Sequence, residues 1–312
     1  MGLVIDCVAI GEELMKEIIR ETADLKERGI TPGIATLLVG DDFGAKMYRA
    51  QVEKFCEEAG FYYQNENPSA DVTEEEVIGI VRKLNADQRV SGILPLRPFP
   101  GHVSDSAVIN SIVVHKDIDC FHPFNMGKLA LGEPDFPPAT PAACMEILER
   151  YAREVENKEP GDFFEGAEIV VVGHSNIVGK PVAFLALNRN ATTTVTHVFT
   201  SIKGNLFKHT ANADILIVAA GKAGLIGPDL VKEGAIVVDV GINRVQVLDA
   251  NGQPALNDKG KPKTKTAGDV SFDMVKEKVK AITPVPGGVG SVTNRMLMKN
   301  ALKACRIQHG LK

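Results

Sequence analysis

The 312-residue chain contains no tryptophan, and aromatic residues make up only 5% of it. Platforms for stacking nucleic-acid bases are therefore not expected. It also lacks an excess of positive charge, since 40 acidic residues outnumber 35 lysines and arginines and leave a net charge of −5. This balance argues against nucleic acid or an anionic membrane as the main partner, because both attract basic patches.

Cysteine is scarce, and long apolar runs are missing. The five cysteines are an odd number and form no C-x-x-C pair, which favours reduced thiols over a disulfide framework or a zinc site. No segment approaches the roughly 20 apolar residues that span a bilayer. The first ten residues include Asp6 and no basic residue, unlike a secretory signal. We therefore expect a cytoplasmic protein that does not associate with membranes.

The chain does have helical and strand-like patterns that alternate throughout, which predicts an α/β fold with parallel sheets. Its length favours two domains. We predict an N-terminal α/β domain at residues 1–140, completed by a C-terminal helix at about 290–312. Residues 141–289 are predicted to form a second, Rossmann-like domain with a doubly wound parallel sheet.

Several shorter patterns give local predictions. Thr73 and Glu76 have the spacing of a helix capping box. Residues 194–199 are typical of a strand, whereas the charged residues 156–165 indicate a linker or an inserted loop. A surface hairpin is predicted at residues 245–248, with its turn at Asn251-Gly252.

A nucleotide site is indicated where the apolar run at 168–173 is followed by residues 173–181 (GHSNIVGKP) and a helix. Small residues at such a strand-to-helix turn let the backbone approach a pyrophosphate. Ser175 replaces the second glycine of the dinucleotide motif, so this spacing alone leaves a plain turn equally open. Small residues at two later strand ends, 219–221 and 239–243, favour nucleotide binding.

Several motifs together resemble the methylenetetrahydrofolate dehydrogenase/cyclohydrolase family. They occur in the family's order along the chain, at residues 116–119 (KDID), 140–141 (TP), 173–181, 239–244 (DVGINR), 268–270 (GDV) and 283–290 (TPVPGGVG). The likeness extends from about residue 37 to residue 300.

The resemblance implies a homodimer with a folate substrate bound between a catalytic domain and a Rossmann-type domain. With NADP or NAD, members oxidise the methylene bridge of 5,10-methylenetetrahydrofolate to a methenyl cation. Bifunctional members then hydrolyse that cation to 10-formyltetrahydrofolate.

Two positions depart from the family's catalytic pattern. The family carries a tyrosine followed four residues later by a lysine, but here Tyr48 is followed by Val52. Lys54 lies about 240° around the helix from Tyr48, so it is not expected to substitute. Leu96 occupies the position of the glutamine that pairs with the family lysine.

Hydride transfer depends mostly on positioning, whereas hydrolysis needs proton transfer to and from water. We therefore expect dehydrogenase activity and a weak or absent cyclohydrolase. The resemblance implies that Asp119 and Tyr48 are catalytic and that the substrate contacts Tyr48, Val52, Leu96, Asp119, Pro286, Gly287, Gly288, Val289 and Gly290.

Two alternatives remain open. One is a folate- or nucleotide-binding pseudoenzyme. The other is a related enzyme recruited to another substrate, with a pocket that includes Arg97 and Phe99. Arg97 stands where the family has leucine, and a surface ion pair and a carboxylate-binding role are both open to it.

The implied cofactor-binding residues are Gly173, His174, Ser175, Thr200, Gly221, Gly241 and Ile242. His174 replaces the arginine that favours the 2′-phosphate of NADP. Because a neutral imidazole does not attract phosphate as arginine does, NAD and NADP are equally expected. Lys203 is an alternative phosphate contact or, more simply, a solvated surface charge.

Overall fold

The computed structural model describes residues 1–248, 253–256 and 260–311. Its backbone separates into two compact units. The N-terminal unit comprises Gly11–Ala139 and Thr293–Lys312, and the central unit comprises Met1–Ile10 and Thr140–Val292. Residues 1–10 were predicted to belong to the N-terminal domain. They lie in the central unit because the short strand β1 (Leu3–Val4) pairs with a strand there.

A three-stranded parallel sheet forms the middle of the N-terminal unit, in the order β3-β2-β4. The two strands β2 and β4 are fully buried, as expected for parallel strands covered on both faces. The elements of this unit are β2 (Gly33–Leu38), α2 (Phe43–Ala59), β3 (Tyr62–Glu66), α3 (Glu74–Ala86), β4 (Gly92–Leu96), α4 (Asp105–Ser111), a 3₁₀ turn (Val114–Lys116) and α5 (Pro123–Ala130). Helices α1 (Cys7–Glu27) and α12 (Gly290–Gln308) also contribute most of their residues to it.

Local signals set the ends of two helices in this unit. The Asp42 carboxylate accepts the Ala45 N–H at 2.8 Å to begin α2, and Gly60 ends it in the left-handed conformation with a φ of 71°. The predicted capping box is confirmed, because Thr73 and Glu76 exchange backbone-to-side-chain hydrogen bonds at the start of α3. Within α2, Val52 is buried in the core and Tyr48 packs against it.

The central unit contains a six-stranded, all-parallel sheet in the order β1-β11-β8-β7-β5-β6. Its strands beyond β1 are β5 (Glu168–Val172), β6 (Thr192–Thr196), β7 (Ile215–Val218), β8 (Ile236–Asp239) and β11 (Ala281–Ile282). Its helices are α6 (Ala139–Glu154), α7 (Pro160–Phe164), α8 (Gly179–Leu187), α9 (Val198–Ile202), α10 (Leu206–Thr210) and α11 (Phe272–Val275). The first residue of α6, Ala139, is the last residue of the Gly11–Ala139 segment of the N-terminal unit. Strand order reverses beside β5, since β6 pairs on one side and β7 on the other. The predicted doubly wound fold is thereby confirmed.

Three local predictions need correction or qualification. The predicted strand 194–199 ends at Thr196, because His197 caps α9. The predicted linker 156–165 contains α7, which the fully buried Phe164 anchors. The hairpin predicted at 245–248 is supported, because Leu248 forms an antiparallel bridge with Pro254 and the Val247 carbonyl accepts the Ala255 N–H at 2.8 Å, while its expected turn at 251–252 lies outside the described residues. In addition, β9 (Asn243–Gln246) pairs with β10 (Thr264–Ala267).

Within the described part of the chain, no helix combines the length and apolarity that crossing a bilayer requires.

Candidate active site

Tyr48, Val52 and Leu96 come together in one apolar cluster of the N-terminal unit. Val52 lies one turn after Tyr48 on α2, and Leu96 is the last residue of β4. Val52 is 2% exposed and Leu96 is 3% exposed, so both side chains are closed to solvent. Neither can donate or accept a side-chain proton, which leaves this part of the unit apolar beside Tyr48.

The lysines near this cluster have other surroundings. Lys54 is exposed on α2. Lys116 is buried, and its ammonium donates to the carbonyl oxygens of Leu84, Asn85 and Asp87 at 3.0, 2.9 and 2.8 Å. Burial lowers the pKa of Lys116. With its three N–H donors used, Lys116 joins the end of α3 to the 3₁₀ turn and has a structural role.

Asp119 is the acidic residue that interacts most strongly with Tyr48. One carboxylate oxygen of Asp119 accepts the Ala139 N–H at 2.7 Å. Burial raises the pKa of Asp119 to about 7, and the nearby Asp117 adds to the increase. Burial also raises the pKa of Tyr48, and the charge of Asp119 raises it further. At neutral pH Asp119 is therefore present in both protonation states, while Tyr48 remains a phenol that can donate a hydrogen bond.

Asp117 holds the loop on which Asp119 lies. Its carboxylate accepts the N–H groups of Phe121 and His122 at 2.9 Å each and the side-chain amide of Asn125 at 2.8 Å. Cys120, which follows Asp119 in this loop, adopts a left-handed φ of 57°. Such a conformation is strained for a residue with a side chain. The bonds of Asp117 compensate for that strain and orient Asp119.

Arg97 follows β4 and lies near Asp119. Its guanidinium carbon is 4.0 Å from the centroid of the Phe121 ring, and its Nη1 lies 3.3 Å from the Asp105 carboxylate. The positive charge of Arg97 lowers the pKa of Asp119, opposing the larger effect of burial. Of the two roles left open by the sequence, the ion pair is therefore formed, and Arg97 also acts electrostatically on Asp119. No sequence pattern connects residue 97 with residue 121.

In the central unit, two glycines lie where side chains cannot fit. A Cβ at Gly173 would collide with the Ala219 carbonyl oxygen, and a Cβ at Gly179 would collide with the Gly173 carbonyl oxygen. Gly173 has a φ of 121°, a region that residues with side chains rarely adopt. The turn from β5 to α8 therefore packs tightly against the end of β7 and leaves backbone exposed at the edge where α/β sheets bind ligands.

A cavity of about 470 Å³ opens at this edge of the sheet. Gly173, His174 and Ser175 line it, as do Ala219 and Ala220 after β7. Ser175 accepts the Val178 N–H at 3.1 Å, which shapes the turn.

The other four predicted cofactor residues are not among the residues that line this cavity. Thr200 accepts the His197 N–H at 3.3 Å and so caps α9. Gly221 donates its N–H to Asp269, and Gly241 lies so close to the Asp269 carboxylate that a side chain would collide with it. Ile242 is 74% exposed.

Two buried aspartates hold the loops at the ends of β7 and β8. Asp269 accepts the N–H groups of Ala220 and Gly221 at 2.6 and 2.8 Å. Asp239 in turn accepts the N–H groups of Asp269 and Val270 at 3.0 and 2.9 Å. Burial raises the pKa of Asp239 to about 6. Both residues stand in motifs recognised in the sequence, but their role in shaping the cavity edge depends on contacts between distant segments.

The predicted substrate loop at Pro286–Gly290 follows β11 in the central unit. Val289 and Gly288 are buried, whereas Pro286 and Gly290 are exposed. Gly287 has a left-handed φ of 89°, and a Cβ at Gly288 would collide with the Pro284 carbonyl oxygen. Gly287 and Gly288 are therefore required by the conformation of this loop.

Comparison with protein families gives two matches that together cover most of the chain. Residues 5–119 match the catalytic domain of tetrahydrofolate dehydrogenase/cyclohydrolase, and residues 138–309 match the NAD(P)-binding domain of the same family. The chain belongs to this family. It is 45% identical over 303 residues to the bifunctional protein FolD 3 of Rubrobacter xylanophilus, an alignment that covers 97% of the chain and 92% of the relative.

Solved structures of family members share the fold. The bifunctional FolD enzyme of Campylobacter jejuni superposes with a TM-score of 0.86 at 37% identity, covering 98% of this chain and 99% of that one. The Trypanosoma brucei FolD, solved with NADP and an inhibitor, superposes with a TM-score of 0.85 at 33% identity, and 98% of each chain is covered.

The central unit of this family member is an NAD(P)-binding domain, and its geometry fits that cofactor. The cavity lies at the carboxyl ends of β5 and β7, beside the point where strand order reverses. Gly173 and Gly179 let the β5–α8 turn pack closely, and Gly173 itself lies in the wall of the cavity. Both features suit a phosphate-bearing nucleotide that approaches the main chain closely.

Proposed function

We propose that this chain catalyses the NAD(P)-dependent oxidation of 5,10-methylenetetrahydrofolate to 5,10-methenyltetrahydrofolate in one-carbon metabolism. We further propose that it is a divergent family member with little or no cyclohydrolase activity. Relatives are named bifunctional, so the second part of the proposal separates this chain from them. The observation that carries it is the burial of Val52 and Leu96 in one apolar cluster.

Oxidation places modest demands on the protein. NAD(P), when bound, supplies the hydride acceptor. The task of the chain is to bind and orient both molecules and to keep water away from the reacting carbon. The tight β5–α8 turn at Gly173 serves the nucleotide, and Asp119 offers a buried carboxyl group for hydrogen bonds to the pterin ring. No residue has to remove a proton for the hydride to leave.

Hydrolysis of the methenyl product demands more. A water molecule must be activated, and protons must be moved as the ring opens. A lysine held by a glutamine would suit that work, but Val52 and Leu96 have no ionisable or polar group. Lys116 makes three hydrogen bonds to carbonyl oxygens, and Lys54 is exposed two residues beyond Val52. The surroundings of Tyr48 therefore support hydride transfer better than hydrolysis.

The test is an absorbance assay of the purified chain with 5,10-methylenetetrahydrofolate and either NAD or NADP. Formation of reduced nicotinamide and of methenyltetrahydrofolate is followed in the same cuvette. We expect the two products to appear at equal rates, and the methenyl compound to decay no faster than in buffer. Faster decay with enzyme would contradict the proposed loss of the cyclohydrolase.

A pair of double variants sharpens the test. Val52→Lys with Leu96→Gln restores the polar pair, and we expect it to accelerate methenyl decay at least about tenfold, since positioned acid–base groups contribute about 10²–10⁴-fold to rates. Val52→Met with Leu96→Met fills similar space without polar groups and should leave decay at the buffer rate.

Failure to reduce either cofactor would contradict the dehydrogenase itself. Titration with tetrahydrofolate would then separate the two alternatives. Binding without turnover would indicate a pseudoenzyme, and absence of binding would indicate an enzyme recruited to another substrate.

A further inference from the structure

The segment that carries Asp119 runs alongside β4 in the N-terminal unit. Ile93 of β4 forms a parallel bridge with Asp117. Four residues further along both segments, this register brings Arg97 level with Phe121, and the Arg97 guanidinium carbon indeed lies 4.0 Å from the centroid of the Phe121 ring. The backbone therefore places Arg97 beside the loop of Asp119, at the carboxyl edge of the sheet, where ligands of open α/β sheets bind.

Two contacts hold the Arg97 side chain in this place. Its Nη1 lies 3.3 Å from a carboxylate oxygen of Asp105, the first residue of α4, and its guanidinium stacks on the Phe121 ring. Phe121 in turn packs against the apolar cluster on which Tyr48 also packs. The Arg97 side chain is 30% exposed and that of Asp105 is 48% exposed. Water therefore screens the charge of Arg97 less than it would screen a fully solvated side chain.

The titratable groups around Asp119 lie on its own loop, on the segment after β4 and on α2. Burial, the largest effect, raises the pKa of Asp119 to about 7, the charge of Asp117 adds to the increase, and the charge of Arg97 opposes it. Burial also raises the pKa values of Tyr48 on α2 and of the neighbouring Cys120, so both side chains are neutral near pH 7. Asp119 thus ionises near neutral pH, and Arg97 favours the ionised form.

We propose that Arg97 is a positioning residue of the folate site, which acts through Asp119 by favouring the carboxylate form that binds the pterin ring. The inference rests on the proposed function, because it concerns the binding of the same substrate. The pterin ring presents adjacent N–H groups, one in the ring and one on its amino substituent. A carboxylate accepts hydrogen bonds from both, whereas a protonated carboxyl group has an O–H donor on one of its oxygens.

The sign of the pH dependence follows from this chemistry. Because Asp119 binds as a carboxylate, the affinity for folate should rise as the pH rises through the pKa of Asp119. Removal of the Arg97 charge raises that pKa and moves the inflection to higher pH, whereas removal of the Asp105 charge leaves Arg97 less neutralised and moves the inflection to lower pH. A purely structural ion pair would not give opposite shifts, since either change breaks the same contact.

The test is isothermal titration calorimetry of the full chain with tetrahydrofolate at pH 6, 7, 8 and 9, with oxygen excluded. We expect Arg97→Met to bind about tenfold more weakly than wild type at pH 6 and nearly equally at pH 9, which corresponds to an upward shift of the inflection by about 1 pH unit. Steady-state kinetics with 5,10-methylenetetrahydrofolate should show the same loss at low pH as a higher KM, with little change in kcat.

Three further variants assign the effect to charge. Arg97→Lys keeps the charge and should restore the wild-type profile, and Asp105→Asn should bind about twofold more tightly than wild type at pH 6. Arg89→Met is a matched control, because Arg89 also pairs with an aspartate, Asp87, and lies over a tyrosine ring, that of Tyr62, at 4.8 Å. Arg89 does not contribute to the pKa of Asp119, so this variant should keep the wild-type profile.

Identical pH profiles of wild type and Arg97→Met would overturn the inference, as would an inflection that persists in Asp119→Asn. Shifts of the same sign in Arg97→Met and Asp105→Asn would also overturn it, because they would indicate a structural contact. In each of these cases, turnover by the wild type would leave the proposed function in place. Failure of the wild type both to bind tetrahydrofolate and to oxidise its methylene form would overturn the proposed function as well.

Discussion

At the scale of single residues, the proposed loss of cyclohydrolase activity depends on two apolar side chains. Val52 and Leu96 lie in the same buried cluster, so a polar group at one position needs a partner at the other. An unpaired buried amide or ammonium loses its hydrogen bonds to water without replacement. The joint replacement is therefore physically coherent, since either change alone would leave an unsatisfied group.

This coupling can be measured. Val52→Lys alone should lower the free energy of unfolding by roughly 3 kcal/mol, because the ammonium enters an apolar site. The double variant with Leu96→Gln should have a free energy of unfolding about 1 kcal/mol higher than the sum of the two single effects predicts, because neighbouring side chains are energetically coupled. Urea denaturation of the four proteins in the cycle gives both numbers. Strictly additive effects would show that the two side chains do not interact.

Asp119 gives a prediction about pH. Its pKa is raised to about 7 in the folded protein, compared with about 3.9 in an unfolded chain. Between these values the folded state holds a proton that the unfolded state has lost, so stability falls as the pH rises from about 4 to 7. Asp119→Asn has no such proton, so this loss is absent from the variant.

We therefore expect Asp119→Asn to gain roughly 3 kcal/mol relative to wild type between pH 4.5 and pH 7.5. Unfolding in urea at both pH values measures the difference, and the titration of Asp239 is common to both proteins. A constant difference between variant and wild type would mean that Asp119 is ionised throughout this range.

At the scale of elements, the turn between β5 and α8 decides whether a nucleotide can approach. Gly173 combines a positive φ with contact to the Ala219 carbonyl, so β5, β7 and α8 all depend on it. At the other end of the turn, a Cβ at Gly179 would collide with the Gly173 carbonyl oxygen. The sequence pattern indicated small residues here, and the packing supplies the reason.

Gly173→Ala should weaken binding of 5′-AMP at least about tenfold and lower stability by roughly 2–4 kcal/mol, because the new Cβ displaces the end of β7. Gly166→Ala is a matched control. It also has a positive φ, of 71°, but no atom lies within 4 Å of the added Cβ. Calorimetry and thermal unfolding of both variants separate the effect of the Cβ collision from the cost of placing alanine at a positive φ. Equal behaviour of the two would refute the role of close packing.

The elements that sequence patterns misassigned share a cause. Residues 194–199 are apolar and β-branched enough to predict one strand, but the His197 side chain accepts a backbone N–H and begins α9 instead. The charged segment 156–165 conceals α7, because only the Phe163–Phe164 pair indicates burial, with ring centroids 5.1 Å apart. Local periodicity does not predict where a side chain will cap a helix. It also does not predict a short helix that tertiary contacts stabilise.

At the scale of the whole molecule, the homodimer stays a prediction. One edge of the central sheet provides a surface on which two chains could pair. Strand β6 is an edge of the six-stranded sheet, and Val195 on it is 37% exposed. An edge strand offers its unpaired backbone N–H and C=O groups to another chain, and Val195 is the apolar residue of β6.

We expect sedimentation velocity to give twice the 33.5 kDa chain mass. Val195→Lys should weaken association at least about tenfold, because it places a charge at the edge. Val155→Lys changes another exposed valine of the central unit, 46% exposed, and should not affect association. A monomer at micromolar concentration would contradict the prediction.

The sequence by itself determined the α/β class, the parallel sheets and the family, because these depend on local periodicity and on short motifs in a set order. It also indicated the Val52 and Leu96 replacements, since spacing along a helix places Tyr48 and Val52 on one face. The sequence patterns did not predict contacts between distant segments. Residues 1–10 belong to the central unit only because β1 pairs with β11.

The tertiary structure alone decided which charged groups hold the fold and which carry a shifted pKa. The Lys116 ammonium donates hydrogen bonds to carbonyl oxygens about 30 positions earlier in the chain. The charge of Arg97, on a different loop, lowers the pKa of Asp119. His174 and His197 meet because parallel strands β5 and β6 end at the same edge of one sheet. Burial and pKa depend on such long-range packing, which no local pattern of residues encodes.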